Sequence, residues 1–253
     1  MTHFGFARSF CRLIFIALLA ASSALTHRAT AKASGAAPGF ADQTSAFLKK
    51  YVAADGTVGY AAIQRNPAEL KALLKRIETF EAKKAPAAER KAFYLNAYNL
   101  LVIAAVVERY PTTSVMKLPG FFDTQRHKVA GENMTLNGLE ANKLMRAYND
   151  PRVHFALVCA AKGCPKLTPE AYRAERLEDQ LTERARQVLR DPQFIRRDDA
   201  AGKVLLSEIF KWYAGDFKAA GKTAVGYINR FLAQPIPASY KVDYYPYDWS
   251  LNE

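Results

Sequence analysis

Ala92-Phe93-Tyr94-Leu95-Asn96-Ala97-Tyr98-Asn99-Leu100-Leu101-Val102-Ile103-Ala104-Ala105-Val106-Val107 is the stretch whose reading decides the fold. Apolar residues fall on nearly every side of a 3.6-residue period, so no face is left for water and the run reads as a central buried helix. It begins near Pro86 and stops at Tyr110-Pro111, because proline cannot continue a helix and biases the residue before it away from helical backbone. Asn96 and Asn99, three apart, are neighbours on its surface. Buried amides need partners. They either tie down nearby loop backbone or join Tyr98 as polar groups lining a cleft, which makes Asn96 and Tyr98 candidate site residues.

Working outward, shorter elements flank this helix. Phe40 to Ala54 reads as a helix with Phe47, Leu48 and Tyr51 on one side. Asn66-Pro67-Ala68-Glu69 reads as the opening of another, with an N-cap residue, proline at the first helical position and an acid in the first turn. Phe121 to Leu136 alternates around Ala130-Gly131 as a hairpin, with a solvent-facing His127 on its first arm. Asn137 and Glu140 have capping-box spacing for a helix reaching Tyr148. Thr168-Pro169-Glu170 reads as a helix start, and Leu177, Leu181, Val188 and Leu189 form an apolar stripe. Phe194 to Leu206 reads as a second hairpin, followed by Lys211 and Asp216 as a surface pair, a helix from about Ala224 to Ala233, and an aromatic tail from Tyr240 to Trp249. The fold class expected is α+β: one domain over residues 34–253, with a central buried helix and amphipathic helices packed on a small, mostly antiparallel sheet.

Chemistry concentrates in Val153-His154-Phe155-Ala156-Leu157-Val158-Cys159, bounded by Asn149-Asp150-Pro151 and by Lys162-Gly163-Cys164-Pro165. The run has the pattern of a short buried strand. Alternation across a strand then puts His154 and Cys159 on opposite faces, which works against a Cys-His nucleophilic pair unless the strand ends early. Cys159 and Cys164 are separated by four residues, one of them glycine, so a turn can bring them within disulfide reach. So small a loop would stabilise by only about 2 kcal/mol, and the bridge would mainly hold the turn. A redox-active or nucleophilic thiol is the sharper alternative. A zinc site would need Cys159, Cys164, His127 and His154 all to converge, so no metal is expected, and no cofactor motif is present.

Residues 1–33 combine a basic start (Arg8, Arg12), an apolar run from Leu13 to Ala21 and a small-residue ending, Ala31-Lys32-Ala33. This is the pattern of a secretory signal peptide, with an apolar run too short for a permanent span. The expected product is exported, periplasmic or secreted, with no transmembrane segment after cleavage. Cleavage removes four basic residues and no acidic one, taking the net charge from +12 to +8. A basic protein in that compartment suits an anionic envelope polymer or a small molecule as partner. Lys and Arg are interleaved with Asp and Glu, without a cationic block, which argues against nucleic acid.

The pieces Ala92-Phe93-Tyr94-Leu95-Asn96-Ala97-Tyr98-Asn99, His154-Phe155-Ala156-Leu157-Val158-Cys159, Gly163-Cys164-Pro165-Lys166-Leu167, Phe210-Lys211-Trp212-Tyr213 with Asp216-Phe217, and Tyr247-Asp248-Trp249 occur in order. In these the chain resembles the uncharacterised family known as domain of unknown function 547. Tyr94 stands where that family usually has Trp, and Lys166 where it has Pro. The resemblance implies a single α+β domain and carries no catalytic residue across. A long helix beside a histidine-bearing strand also loosely resembles the papain and transglutaminase arrangement, though no cysteine opens this helix. Three readings follow: an exported hydrolase or transferase with a polar pocket around His154, in which His154 is the acid or base, Asn96, Tyr98 or a carboxylate orients it, and the nucleophile is either missing or Cys159; a non-catalytic binding or assembly module with a structural Cys159–Cys164 disulfide; and the zinc site set aside above.

Overall fold

In the computed structural model, which describes residues 39–253, the helices Phe40–Tyr51 (α1), Tyr60–Arg65 (α2) and Ala68–Thr79 (α3) pack against a 22-residue helix, Ala87–Glu108 (α4). The leader expected at residues 1–33 lies outside the described residues, which form one unit. The helix α4 is buried all round, as its unbroken apolar run requires: Phe93, Leu95, Leu100, Val102 and Val106 point to different sides and all are in the core. Asn66 closes α2 rather than capping α3, because its backbone N–H is taken by the carbonyls of Ala62 and Ile63.

His127–Val129 (β1) and Glu132–Met134 (β2) form the expected antiparallel hairpin, turning at Ala130-Gly131. After it comes a helical run in three parts: Leu136–Gly138 (α5), a π-helical stretch Leu139–Met145, and Arg146–Tyr148 (α6). The cap is the Thr135 hydroxyl, which accepts the Gly138 N–H at 3.0 Å, so Glu140 is not spent on a capping box.

The main correction concerns Val153–Ala156, which forms a short helix (α7) and not a strand. Asp150-Pro151 starts a turn here: the Asp150 carboxylate accepts the Arg152 N–H at 3.0 Å, and Val153 N–H bonds to the Asp150 carbonyl. That local signal, an acid followed by proline, outweighs the β-branched character of the run. The chain becomes extended only from Leu157, where the side chain of Asn99 on α4 takes over. Its Nδ2 donates to the Ala156 carbonyl at 3.0 Å, and its Oδ1 accepts the Val158 N–H at 2.9 Å.

A second departure comes from side chains distant in sequence. The segment at Thr168-Pro169-Glu170 is irregular because the Ala171 and Tyr172 N–H groups go to the Ser45 hydroxyl and the Asn96 amide instead of to a helix. Helix resumes at Leu177–Arg190 (α8), with Leu177, Leu181, Val188 and Leu189 buried. Ile195–Asp198 (β3) and Lys203–Ser207 (β4) pair antiparallel. Ile209–Trp212 (α9), Ala214–Gly221 (α10) and Ala224–Ile228 (α11) follow, the last shorter than expected. Lys241–Tyr245 (β5) then pairs parallel to β4, giving the sheet one parallel edge that an aromatic tail does not announce. The fold is a single α+β domain; among the described residues no helix is long and apolar enough to cross a membrane.

Two apolar clusters result, one around α4 and one around Phe194, Phe210, Phe217 and Tyr227. Helix α7 is at their seam: Val153 and Ala156 belong to the first, Phe155 to the second. Its entrance is held electrostatically. Asp150 is 9% exposed and accepts from Lys91 at 2.6 Å and from Arg152 at 2.8 Å, and Arg152 reaches on to Glu178 at 2.6 Å.

Replacing Asn99 by Leu, close to it in volume, leaves a buried carbonyl and a buried N–H unpaired and should cost about 2–4 kcal/mol in urea denaturation; a loss under about 0.5 kcal/mol would contradict the staple. Burial alone would raise the Asp150 carboxyl, but hydrogen bonds from Arg152 and Lys91 overcome it and hold the group at about 2. A depressed folded-state value means the stabilisation is complete above the unfolded value near 4 and disappears as pH falls through about 2. Acid titration of the fold should therefore show a loss of roughly 2 kcal/mol between about pH 4 and pH 2 that Asp150→Asn no longer shows.

Candidate functional site

The seam between the two cores contains a cavity of about 250 Å³, and residues from six stretches of the chain, among others, meet in it. Tyr98 comes from α4, Glu140 from the π-helical stretch and His154 from α7; Cys159 and Cys164 come from the loop beyond, and Trp212 and Tyr213 from the end of α9. Tyr247 and Trp249 come from the C-terminal tail.

That tail is stitched down by backbone. Gly163 N–H bonds to the Asp248 carbonyl and Lys162 N–H to the Ser250 carbonyl, both at 2.8 Å. Gly163 is required for the approach, since a Cβ there would stand 2.9 Å from the Tyr247 ring. Asn252 ties the arrangement to the start of the domain: its carbonyl accepts Val58 N–H, its side chain accepts the Tyr60 hydroxyl at 2.7 Å, and its own N–H bonds to Ala160.

His154 is the centre of the polar part. Its side chain is 1% exposed and stacks on Tyr213 with ring centroids 3.7 Å apart. Nε2 lies 2.8 Å from Asp216 Oδ2. Nδ1 is buried without a hydrogen-bond partner, 3.5 Å from Glu140 Oε1. If Nε2–H donates to Asp216, the Nδ1 lone pair faces the Glu140 carboxylate with no donor between them. The neighbouring phenols stay neutral: burial, with nearby Glu140 adding to it, raises Tyr213 and Tyr98, and burial raises Tyr247. The π-helix matters here, because a wider turn re-aims side chains and such turns are common at functional sites.

The Cys159 and Cys164 sulfurs are within disulfide-bonding distance, their Cα atoms 6.3 Å apart. The Tyr247 hydroxyl lies 3.3 Å from Cys159 Sγ and 3.1 Å from Cys164 Sγ, and Cys159 N–H points at Cys164 Sγ. With α7 helical, the expectation that His154 and Cys159 face apart falls, and both line the same cavity. Their partners differ nonetheless: His154 bonds to Asp216, and Cys159 contacts Tyr247.

Of the residues singled out from sequence, His154, Cys159 and Tyr98 come together here with Cys164. Asn96 does not; both ends of its amide are taken by the Tyr172 backbone at 2.8 Å. His127 is half-buried rather than solvent-facing, its Nε2 enclosed without a partner and its pKa pushed down by burial. Asp216 pairs with His154, so the Lys211–Asp216 surface pair is not formed; Lys211 is exposed, 4.0 Å from Glu208. Glu140, Tyr213 and Asp216 were not legible as site residues. The one usable signal for Asp216 was its place one turn after the aromatic Trp212-Tyr213 pair. Among the described residues no group of three or more His, Cys, Asp or Glu is placed to hold a metal ion.

A larger open basin, about 760 Å³, adjoins Lys91, Asp150 and Arg152. Those three charges are already paired with one another, whereas the His154 cavity has an unsatisfied buried nitrogen, and that difference makes the smaller cavity the candidate site.

No curated protein matches the chain, and no solved structure does. Residues 82–189 match the family described as protein of unknown function, DUF547, and this segment carries Tyr98, Glu140, His154, Cys159 and Cys164.

Proposed function

We propose that the chain is an exported enzyme of the hydrolase or transferase class, in which Glu140, His154 and Asp216 move a proton at a small substrate held in the aromatic cavity. The observation that carries this reading is the buried, unpartnered Nδ1 of a histidine whose other nitrogen is fixed by a carboxylate. Asp216 selects the tautomer, with Nε2–H donating and Nδ1 left basic. A substrate or water O–H brought up beside Glu140 gives its proton to Nδ1, and the same proton is returned to the leaving group. A disulfide would withhold Cys159 as a nucleophile, so the attacking group in that state is water or a substrate hydroxyl. The neutral Tyr98 phenol is available at the wall as a donor.

Export rests on the leader pattern of residues 1–33, and the paired cysteines suit an oxidising compartment. A non-catalytic binding module is the second reading, favoured by the 1% exposure of the His154 side chain beneath Tyr213.

Chromogenic ester, amide and glycoside panels with the purified mature protein should reveal turnover that His154→Gln and Asp216→Asn each lower by about 10²-fold or more, with melting temperatures within a few degrees of the parent. Turnover indifferent to both changes, or variants that only unfold, would favour the binding module. Mass spectrometry of the protein recovered from the envelope of an expressing bacterium should find a mature N-terminus at or near Ser34, the residue after Ala31-Lys32-Ala33; an intact Met1 start in the cytosol would refute export.

A further inference from the structure

The geometry points to an organic cation, a methylated ammonium group, as the ligand of the His154 cavity. This rests on that cavity being the working site and names what it would hold.

The first argument is charge. The protein carries 36 Lys and Arg against 24 Asp and Glu, yet neither Lys nor Arg lines this cavity. Its one carboxylate is Glu140, backed by His154 and Asp216. With one proton shared among those three groups the array has a net charge of −1, and with none it has −2. An anionic ligand would find no counter-charge there, and a cationic one would complete the array.

The second argument is the walls. Trp212, Tyr247 and Trp249 form a cluster with ring centroids 4.8 to 5.7 Å apart, and Phe122 stands 6.4 Å from Trp249. Trp212 is 45% exposed at the rim, so this apolar ring is held out to solvent in place of being packed away. Aromatic faces around a carboxylate are the arrangement that attracts a quaternary ammonium, whose charge is spread over methyl groups and asks for no hydrogen-bond acceptors. A sugar would need a polar partner for nearly every hydroxyl, and the surface this cavity exposes is mostly apolar.

The third argument is size. At about 250 Å³ the cavity is below the usual range for a drug-sized ligand and suits a headgroup. The buried, unpaired His154 Nδ1 lies beside the same carboxylate, so the ligand's reactive end would sit where the proton moves.

The two tryptophans of the whole chain both line the cavity, so intrinsic tryptophan fluorescence reads its occupancy directly. The mature protein is titrated with choline and with its uncharged carbon isostere 3,3-dimethylbutan-1-ol, at ionic strength held constant with sodium chloride. Choline should give a saturable change with an affinity at least about tenfold above the isostere, and Glu140→Gln should remove that margin by lowering choline affinity alone. Should Glu140→Gln fail to fold, Trp212→Leu at the exposed rim makes the test, with Trp249 reporting: choline affinity should fall severalfold. Equal affinity for the isostere, saturable binding of N-acetylglucosamine or inorganic phosphate in place of choline, or no saturable change at all would each overturn the inference. Histidine-dependent turnover without choline binding would overturn the ligand assignment and leave the catalytic reading standing; choline binding with turnover indifferent to His154→Gln would do the reverse.

Discussion

The side-chain amide of Asn99 is the constraint on which the site depends. It stands in for a strand neighbour, giving a donor to Ala156 and an acceptor to Val158 at the point where α7 ends and extended chain begins. Because α4 is buried on all sides, the amide has no water to fall back on, and both hydrogen bonds must be made by protein. The result is a fixed exit from α7, and with it a fixed direction for His154, three residues before Leu157.

The entrance to α7 is fixed by a different force. Asp150 is buried, doubly hydrogen-bonded by cations and also caps the turn through Arg152 N–H. Buried ion pairs of this kind are weak evidence for net stability, since desolvation offsets most of the attraction, but they specify one geometry. Four residues held at both ends therefore present a histidine at a seam between two apolar clusters. The C-terminal tail then closes the far side, and Gly163 permits Tyr247 to lie against the cysteine loop.

Inside and outside of this protein differ in sign. The chain has a net positive charge, while the cavity is lined by one carboxylate, aromatic rings and neutral phenols, with no Lys or Arg. Short ranges govern each: ions screen the outer field within about 10 Å, whereas the cavity is shielded by its own walls.

Hydrophobic periodicity by itself determined the buried helix α4, both hairpins, the α8 stripe and the α+β class, because each is a local pattern whose spacing survives whatever packs on it. Residue chemistry marked His154, Cys159 and Tyr98 as candidates, and the close spacing of the two cysteines made their approach legible. Two local signals compete with those patterns: Asp150-Pro151, which starts a helical turn in place of a strand, and Thr135, which caps the run ahead of Asn137. The pairing of Asp216 and Glu140 with His154, the diversion of Asn96 and Asn99 to distant backbone, and the aromatic wall from Trp212 to Trp249 were decided only by tertiary structure. These contacts join residues from 14 to 76 positions apart, and no period in the chain records which buried donor will meet which acceptor.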